Sequence, residues 1–153
     1  MFSLSRAVMV IGLSVMLLAC GKSSTLVSAA VQASGSINPD ARNRPSPVVI
    51  RVYELKTPAT FESADFFSLF YKDQATLGAY MLAREEFTLR PGDSQTINRE
   101  LKPDTRFIAV FAGFREVEKS TWRAVMPLNV GKKHTIQISL DTRAVSLSPA
   151  AAK

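Results

Sequence analysis

The 153-residue chain has one cysteine, one histidine and one tryptophan, and each scarcity removes a class of chemistry. A lone Cys20 closes no intramolecular disulfide, so the fold has to rest on a hydrophobic core. His134 is the one histidine available as a base for nucleophilic catalysis, and it follows Gly131-Lys132-Lys133 at the polar start of a strand pattern. A transition-metal site would need mostly carboxylates, and no such cluster occurs in the sequence. Glu85 and Glu86 adjoin in an alternating segment and point to opposite faces, while Glu116 and Glu118 sit in a solvated turn. Neither pair reads as two carboxylates held across a substrate. Phosphate-binding glycine loops are absent. The chain therefore reads as a binding protein, with no catalytic, metal or cofactor residues.

Long apolar runs are also missing. The apolar stretch Ala7–Ala19, interrupted by Gly12 and Ser14, falls short of the roughly 20 residues that span a bilayer. The net charge of +6 is spread along the chain rather than gathered in a block. Nucleic acid is a poor partner for that pattern, whereas an anionic membrane surface or an acidic protein face suits it.

What is present at the N-terminus is a secretory pattern. Arg6 precedes the apolar stretch, and polar Gly21-Lys22-Ser23-Ser24 follows it. Leu17-Leu18-Ala19-Cys20 resembles the bacterial lipobox. That resemblance implies a cleaved signal peptide over 1–19, a thioether-linked diacylglycerol and an N-acyl chain on Cys20, and a lipidated tether over 20–24. Several acyl chains together anchor durably, at about 0.8 kcal/mol per buried CH₂. Gly21, in place of the aspartate associated with inner-membrane retention, points to the outer membrane.

The mature chain is sized for one domain. Alternation over Thr25–Ala33 places Val27, Ala29, Val31 and Ala33 on one face of a first strand. Three prolines and turn formers mark Ser36–Pro47 as a loop. Val48–Leu55 alternates as a second strand, with Val48, Ile50 and Val52 on one face and Arg51 and Tyr53 on the other. A helical period over about 62–84 predicts two short helices broken near Asp73 and Gly78, with Ser63 as an N-cap and the aromatics as the packing face. Pro91-Gly92-Asp93 between two alternating segments predicts a hairpin. Phe107–Phe114 is apolar throughout and reads as a central strand buried on both faces. Strands over Thr121–Pro127, His134–Leu140 and Ala144–Leu147 complete a mainly β sandwich domain over 25–148, with a tail over 149–153 and a closed barrel as the alternative.

The proline-rich loop is the candidate binding element, because proline limits the entropy lost on docking and Arg42 and Arg44 offer forked donors. The ordered set Asn38-Pro39, Arg44-Pro45-Ser46-Pro47-Val48-Val49-Ile50-Arg51-Val52-Tyr53-Glu54-Leu55, Phe61, Ala64-Asp65-Phe66-Phe67, Leu77, Pro91-Gly92, Ala112-Gly113-Phe114-Arg115 and Trp122-Arg123 resembles the TssJ (VasD/SciN-type) lipoproteins of the type VI secretion system. The resemblance implies a transthyretin-like two-sheet β-sandwich with a short helical insertion, anchored in the outer membrane and facing the periplasm. It implies a partner, the periplasmic C-terminal region of TssM, with TssL in the same membrane complex. It also implies a contact loop between the first and second strands, here Ile37, Asn38, Pro39, Asp40, Ala41, Arg42, Asn43, Arg44, Pro45, Ser46 and Pro47. Arg51, Tyr53, Asp65, Phe66, Phe67, Arg115 and Trp122 carry the resemblance for structural reasons, with Asp65 capping its helix and Trp122 packing on the core. From a different class, a transthyretin-like periplasmic small-molecule carrier or hydrolase would require a deep apolar pocket with convergent polar groups.

Overall fold

The computed structural model describes Gly21 and residues 23–151, so the expected signal peptide and Cys20 lie outside the described residues. Eight strands form two four-stranded sheets. One sheet has the order β4-β1-β7-β8, from Ser94–Glu100, Leu26–Ala33, Lys133–Asp141 and Ala144–Pro149. The other has the order β3-β2-β5-β6, from Met81–Leu89, Val48–Leu55, Phe107–Ala112 and Arg123–Pro127. Between β2 and β3 the chain forms helices α1 (Ala59–Ser63) and α2 (Phe66–Leu77) and a 3₁₀ turn at Gly78–Tyr80.

Alternation explains the layers. Val27, Ala29, Val31 and Ala33 of β1 face Val48, Ile50 and Val52 of β2 across the interior, with Val110, Ile136, Ile138 and Leu140 filling the space between. Each such side chain, fully buried, contributes about 1.5–3 kcal/mol. The reverse face of β2 carries Arg51, Tyr53 and Leu55, and the helices cover it. Tyr53, Leu55, Phe61, Phe66, Leu69, Leu77, Ala109 and Phe111 make this second core. As the apolar run predicts, β5 is central and buried on both faces. Among the described residues, the buried side chains of both cores all lie between Val27 and Val145.

The sheets meet differently at their two edges. Arg99 of β4 pairs with Glu85 of β3 and lies 3.6 Å from Glu54 of β2. On the other side Thr121 bridges Ala144, its N–H donating to Arg143 and its carbonyl accepting from Val145. These links join the sheets without a continuous ladder, and the result is a sandwich rather than a closed barrel.

Four sequence expectations are corrected. The Pro91-Gly92-Asp93 turn makes no hairpin, because β3 pairs with β2 and β4 with β1. The turn is an arch from one sheet to the other, tied down by Ala33 N–H to the Asp93 carbonyl and Gly92 N–H to Ser34. The helical insertion ends at Tyr80 rather than Arg84, since Met81–Arg84 pairs with β2. Ser63 closes α1, its hydroxyl donating to the Thr60 carbonyl, and caps nothing. Asp65 caps α2 instead, accepting from Ser68 N–H at 2.9 Å, and the Ser68 hydroxyl and N–H hold its carboxyl below the usual carboxylate range. Finally, Ser148 and Pro149 pair with Gln137 and Ile136, so β8 runs into the segment expected as tail. The expected break in α2 is present, with non-helical backbone at Lys72 and Gly78 ending the helix at φ 52°.

Strand directions sort every connection to one of two ends. The tether before Leu26 lies at one end, with the connections 101–106 and 128–132. The loop between β1 and β2 lies at the other, with the arch 90–93, the segment 113–122 and the turn at Thr142-Arg143. Eight residues of β1 separate the two ends by about 25 Å.

Candidate functional site

The loop joining β1 to β2 is divided into a buried stem and an exposed tip. Ile37, Asn38 and Pro39 are buried, so these three hold the loop in place and do not offer side chains to a partner. Asp40 and Ser46 are half-buried, and Ala41, Arg42, Asn43, Arg44, Pro45 and Pro47 are exposed. The contact surface expected over Ile37–Pro47 therefore narrows to the tip, Asp40–Pro47.

The stem is cross-braced through Asn38. Its backbone N–H donates to the Thr142 carbonyl at 2.9 Å. Its side-chain amide donates to the Pro47 carbonyl at 2.8 Å and accepts from Arg115 N–H at 2.8 Å. Ser46 donates its hydroxyl to the Asn38 carbonyl and receives Arg115 Nε at 3.0 Å. Asn38 sits at φ 47°, a left-handed conformation that asparagine tolerates better than most residues. These bonds leave the stem with its polar groups paired.

Asp40 organises the tip. One carboxylate oxygen accepts from the N–H groups of Arg42 (2.8 Å) and Arg44 (3.0 Å), and the other accepts from Arg44 Nε at 2.8 Å. This is a turn built on an acidic side chain, with Asn43 at φ 58° completing it. The Arg44 backbone and side-chain bonds, with that of Arg42, lower the Asp40 pKa to about 2. Arg42 is left projecting from the tip, while Arg44 is paired with Asp40. The loop is thus pre-shaped, which limits what ordering would cost on association.

Beside it, a groove of about 830 Å³ opens between the start of α2 and the segment Arg115–Lys119, walled by Phe67, Trp122 and Arg123. The helical aromatics do not all pack inward as expected. Phe66 meets Phe70, Phe111 and Trp122 at centroid separations of 5.0–5.7 Å, whereas Phe67 is 59% exposed and Tyr71 is 72% exposed. Trp122 packs on both cores, with Arg123 stacked 4.4 Å over its ring and donating to the carbonyls of Phe61 and Ala64.

Behind the site lies a buried polar cluster. Tyr53 donates to Asp73 at 2.9 Å, and Arg84 donates to the same oxygen at 2.7 Å. Arg51 donates to Glu86 at 2.5 Å and to the carbonyls of Leu69 and Phe70. Burial pushes the Asp73 carboxyl up, but the Arg84 and Tyr53 hydrogen bonds and the two arginine charges outweigh it and hold it below the usual range. Burial, reinforced by the Asp73 charge, pushes the Tyr53 phenol well above its ordinary value. The cluster fastens α2 to the sheet, as expected of Arg51 and Tyr53. His134 Nε2 faces the Asn129 backbone in its own turn, 3.2 Å from the N–H and 2.9 Å from the carbonyl, and bonds one or the other according to its tautomer. Glu116 pairs with Lys119 and Arg143, and Glu86 and Glu85 lie on opposite faces as expected. Sequence reading missed Thr142 and Arg115 as braces of the loop; the one local signal was the turn-forming Asp141-Thr142-Arg143.

The molecule is thus a two-sheet sandwich with helices over one face and a braced loop at one end. A family model described as type VI secretion lipoprotein, VasD, EvfM, TssJ matches residues 25–143, and the chain belongs to that family. It is similar to the T6SS lipoprotein TssJ1 of Pseudomonas aeruginosa, at 32% identity and a TM-score of 0.82 over 85% of this chain and 99% of that one. It is similar to Serratia marcescens Lip, a membrane-bound component of the type VI secretion system, at 28% identity and a TM-score of 0.74 with the same coverage. A chain of a solved structure described as the T6SS protein TssM C-terminal domain (869-1107) from EAEC matches at 29% identity and a TM-score of 0.63, over 82% of this chain and 98% of that one. Among curated proteins there is no match.

Proposed function

We propose that this protein is a non-enzymatic assembly factor, anchored through acyl chains on Cys20 in the outer membrane and facing the periplasm. Its Asp40–Pro47 tip receives the C-terminal region of TssM within the complex that also contains TssL. The observation that carries this reading is the position of the braced loop at the end of the sandwich opposite the tether, about 25 Å further from the lipid. An anchored molecule with that geometry presents the tip to whatever crosses the periplasm. Two comparisons lend support: a similar chain occurs in a structure described as a type VI membrane complex, at 30% identity, and another in the TssM structure. In the latter the range 869–1107 is nearly twice as long as the stretch of this chain that spans 98% of the matched chain. That disparity fits a lipoprotein-sized chain standing beside TssM.

The test is capture of the TssM C-terminal domain by residues 21–153. Asp40 N–H donates to the Arg44 carbonyl at 2.9 Å, so excision of Asp40–Arg44 closes over a short gap and spares the stem. Loss of capture is expected. Capture at undiminished affinity would remove the loop from the mechanism.

A further inference from the structure

The end of the sandwich that carries the tether has a charge pattern that the partner-binding reading leaves unused. Lys56, Lys102, Arg106, Lys132 and Lys133 all emerge there and all are exposed. They converge from three separate connections, Lys56 after β2, Lys102 and Arg106 between β4 and β5, and Lys132 and Lys133 where the β6–β7 connection enters β7, which is why no basic block shows in the sequence. Among the described residues the exposed carboxylates at this end are Glu100 and Asp104, fewer than the cations. Both carboxylates are engaged, Glu100 by the Ser24 hydroxyl and Asp104 by Lys56 at 3.7 Å. Glu54, buried just inside, accepts from Lys102 N–H and the Thr105 hydroxyl and is faced by Arg99.

Three exposed apolar side chains share this end, Leu26 (42% exposed) at the start of β1, Tyr80 (49%) beyond α2 and Val130 (46%) in the β6–β7 turn beside Lys132 and Lys133. A shallow groove of about 630 Å³ runs between Thr25, Lys102, Arg106 and Val130. Cations beside an aromatic and an aliphatic tip suit the boundary between headgroups and acyl chains.

We propose that this end is itself a membrane-binding surface, which lies on anionic phospholipid headgroups through Lys102, Arg106, Lys132 and Lys133. It shares with the proposed function the premise of a lipid on Cys20, which favours a membrane over an acidic protein as the occupant. Four residues separate Cys20 from Thr25, a reach of at most about 14 Å, so an anchored molecule can bring these cations within a Debye length, about 8 Å, of the headgroups, where the attraction is effective. The surface orients the domain upright and points the Asp40–Pro47 tip away from the bilayer. A flexible tether alone sets a distance and no orientation.

The test uses residues 21–153 without lipid, floated with vesicles of phosphatidylcholine alone or with roughly 40% phosphatidylglycerol at low salt. Binding to the anionic vesicles is expected to be on the order of ten-fold stronger and to fall as salt rises. The variant Lys102→Glu/Lys132→Glu/Lys133→Glu should lose that preference while retaining its circular dichroism spectrum and TssM capture. Arg42→Glu/Arg44→Glu, at the opposite end, should keep the preference. Equal binding to both vesicle types, an undiminished preference in the triple variant, or capture of an acidic protein by this end without any vesicle preference would overturn the proposal. Because the protein tested carries no acyl chain, failure here leaves the Cys20 anchor standing, and failure of Cys20 to take up labelled palmitate leaves this result standing.

Discussion

The side-chain amide of Asn38 accepts the backbone N–H of Arg115 at 2.8 Å, joining the stem of the β1–β2 loop to the chain leaving β5, 77 residues later in sequence. Its other end donates to Pro47, so one buried residue holds both limbs of the loop. Replacing Asn38 by alanine deletes both bonds and places a residue without a side-chain polar group at φ 47°. Urea unfolding should show a loss of about 1–3 kcal/mol, from two bonds at about 0.5–1.5 kcal/mol each. Capture of TssM should fall with it.

The tip separates binding from stability. Arg42 is exposed and its side chain makes no hydrogen bond among the described residues. Arg42→Glu should therefore change stability by no more than about 0.5 kcal/mol. In surface plasmon resonance against the TssM domain, it should weaken association at least about ten-fold, the equivalent of roughly 1.4 kcal/mol. Wild-type affinity in this variant would place the contact on other residues.

Acid should loosen the helical insertion before it dissolves the sandwich. The folded Asp73 carboxyl titrates below its ordinary value of 3.8, so its contribution is fully present above that value and disappears as pH falls through the folded pKa. Asp40 behaves alike, from 3.8 in the unfolded chain to about 2 in the loop. Carbon-13 carboxyl shifts followed from pH 6 downward should show both groups still ionised at pH 4, with no change in loop or cluster between pH 5 and 8. Asp73→Asn leaves Arg84 and Arg51 short of a partner and should cost about 3 kcal/mol at pH 7.

Phe66 is the centre of the second core, in contact with Phe67, Phe70, Phe111 and Trp122. Phe66→Ala should cost about 3–5 kcal/mol in thermal or denaturant unfolding, whereas Phe67→Ala, at an exposed position, should cost far less. Similar losses at the two sites would contradict the packing described.

Anchoring is testable apart from folding. Cys20→Ser protein should take up no labelled palmitate, fold normally and capture soluble TssM, because both cores and the loop lie beyond residue 24. It should fail to support secretion; full secretion by that form would end the anchoring role.

Strands β2 and β5 and the helical insertion were legible because each announces itself by its own periodicity. The Pro91-Gly92-Asp93 segment was misread because turn chemistry specifies that a chain reverses and says nothing about which strand receives it. The same local turn closes a hairpin or arches between sheets, and here Ala33 and Ser34 of the first sheet decide. The loop between β1 and β2 was placed correctly in sequence, but its buried stem was not recognised. Ile37, Asn38 and Pro39 look like loop residues, and only Arg115 and Thr142, brought in from distant strands, bury and brace them.

By itself the sequence determined the alternating strands, the proline-rich loop and the family those motifs resemble, all carried by neighbours along the chain. Tertiary structure alone decided which strands pair, that β1 lies parallel to β7, which loop residues are free, and that five cations from three connections meet at the end where β1 begins. Those outcomes depend on burial and hydrogen bonding between residues up to about a hundred positions apart, such as Ser36 and Thr142, and local pattern does not encode that pairing.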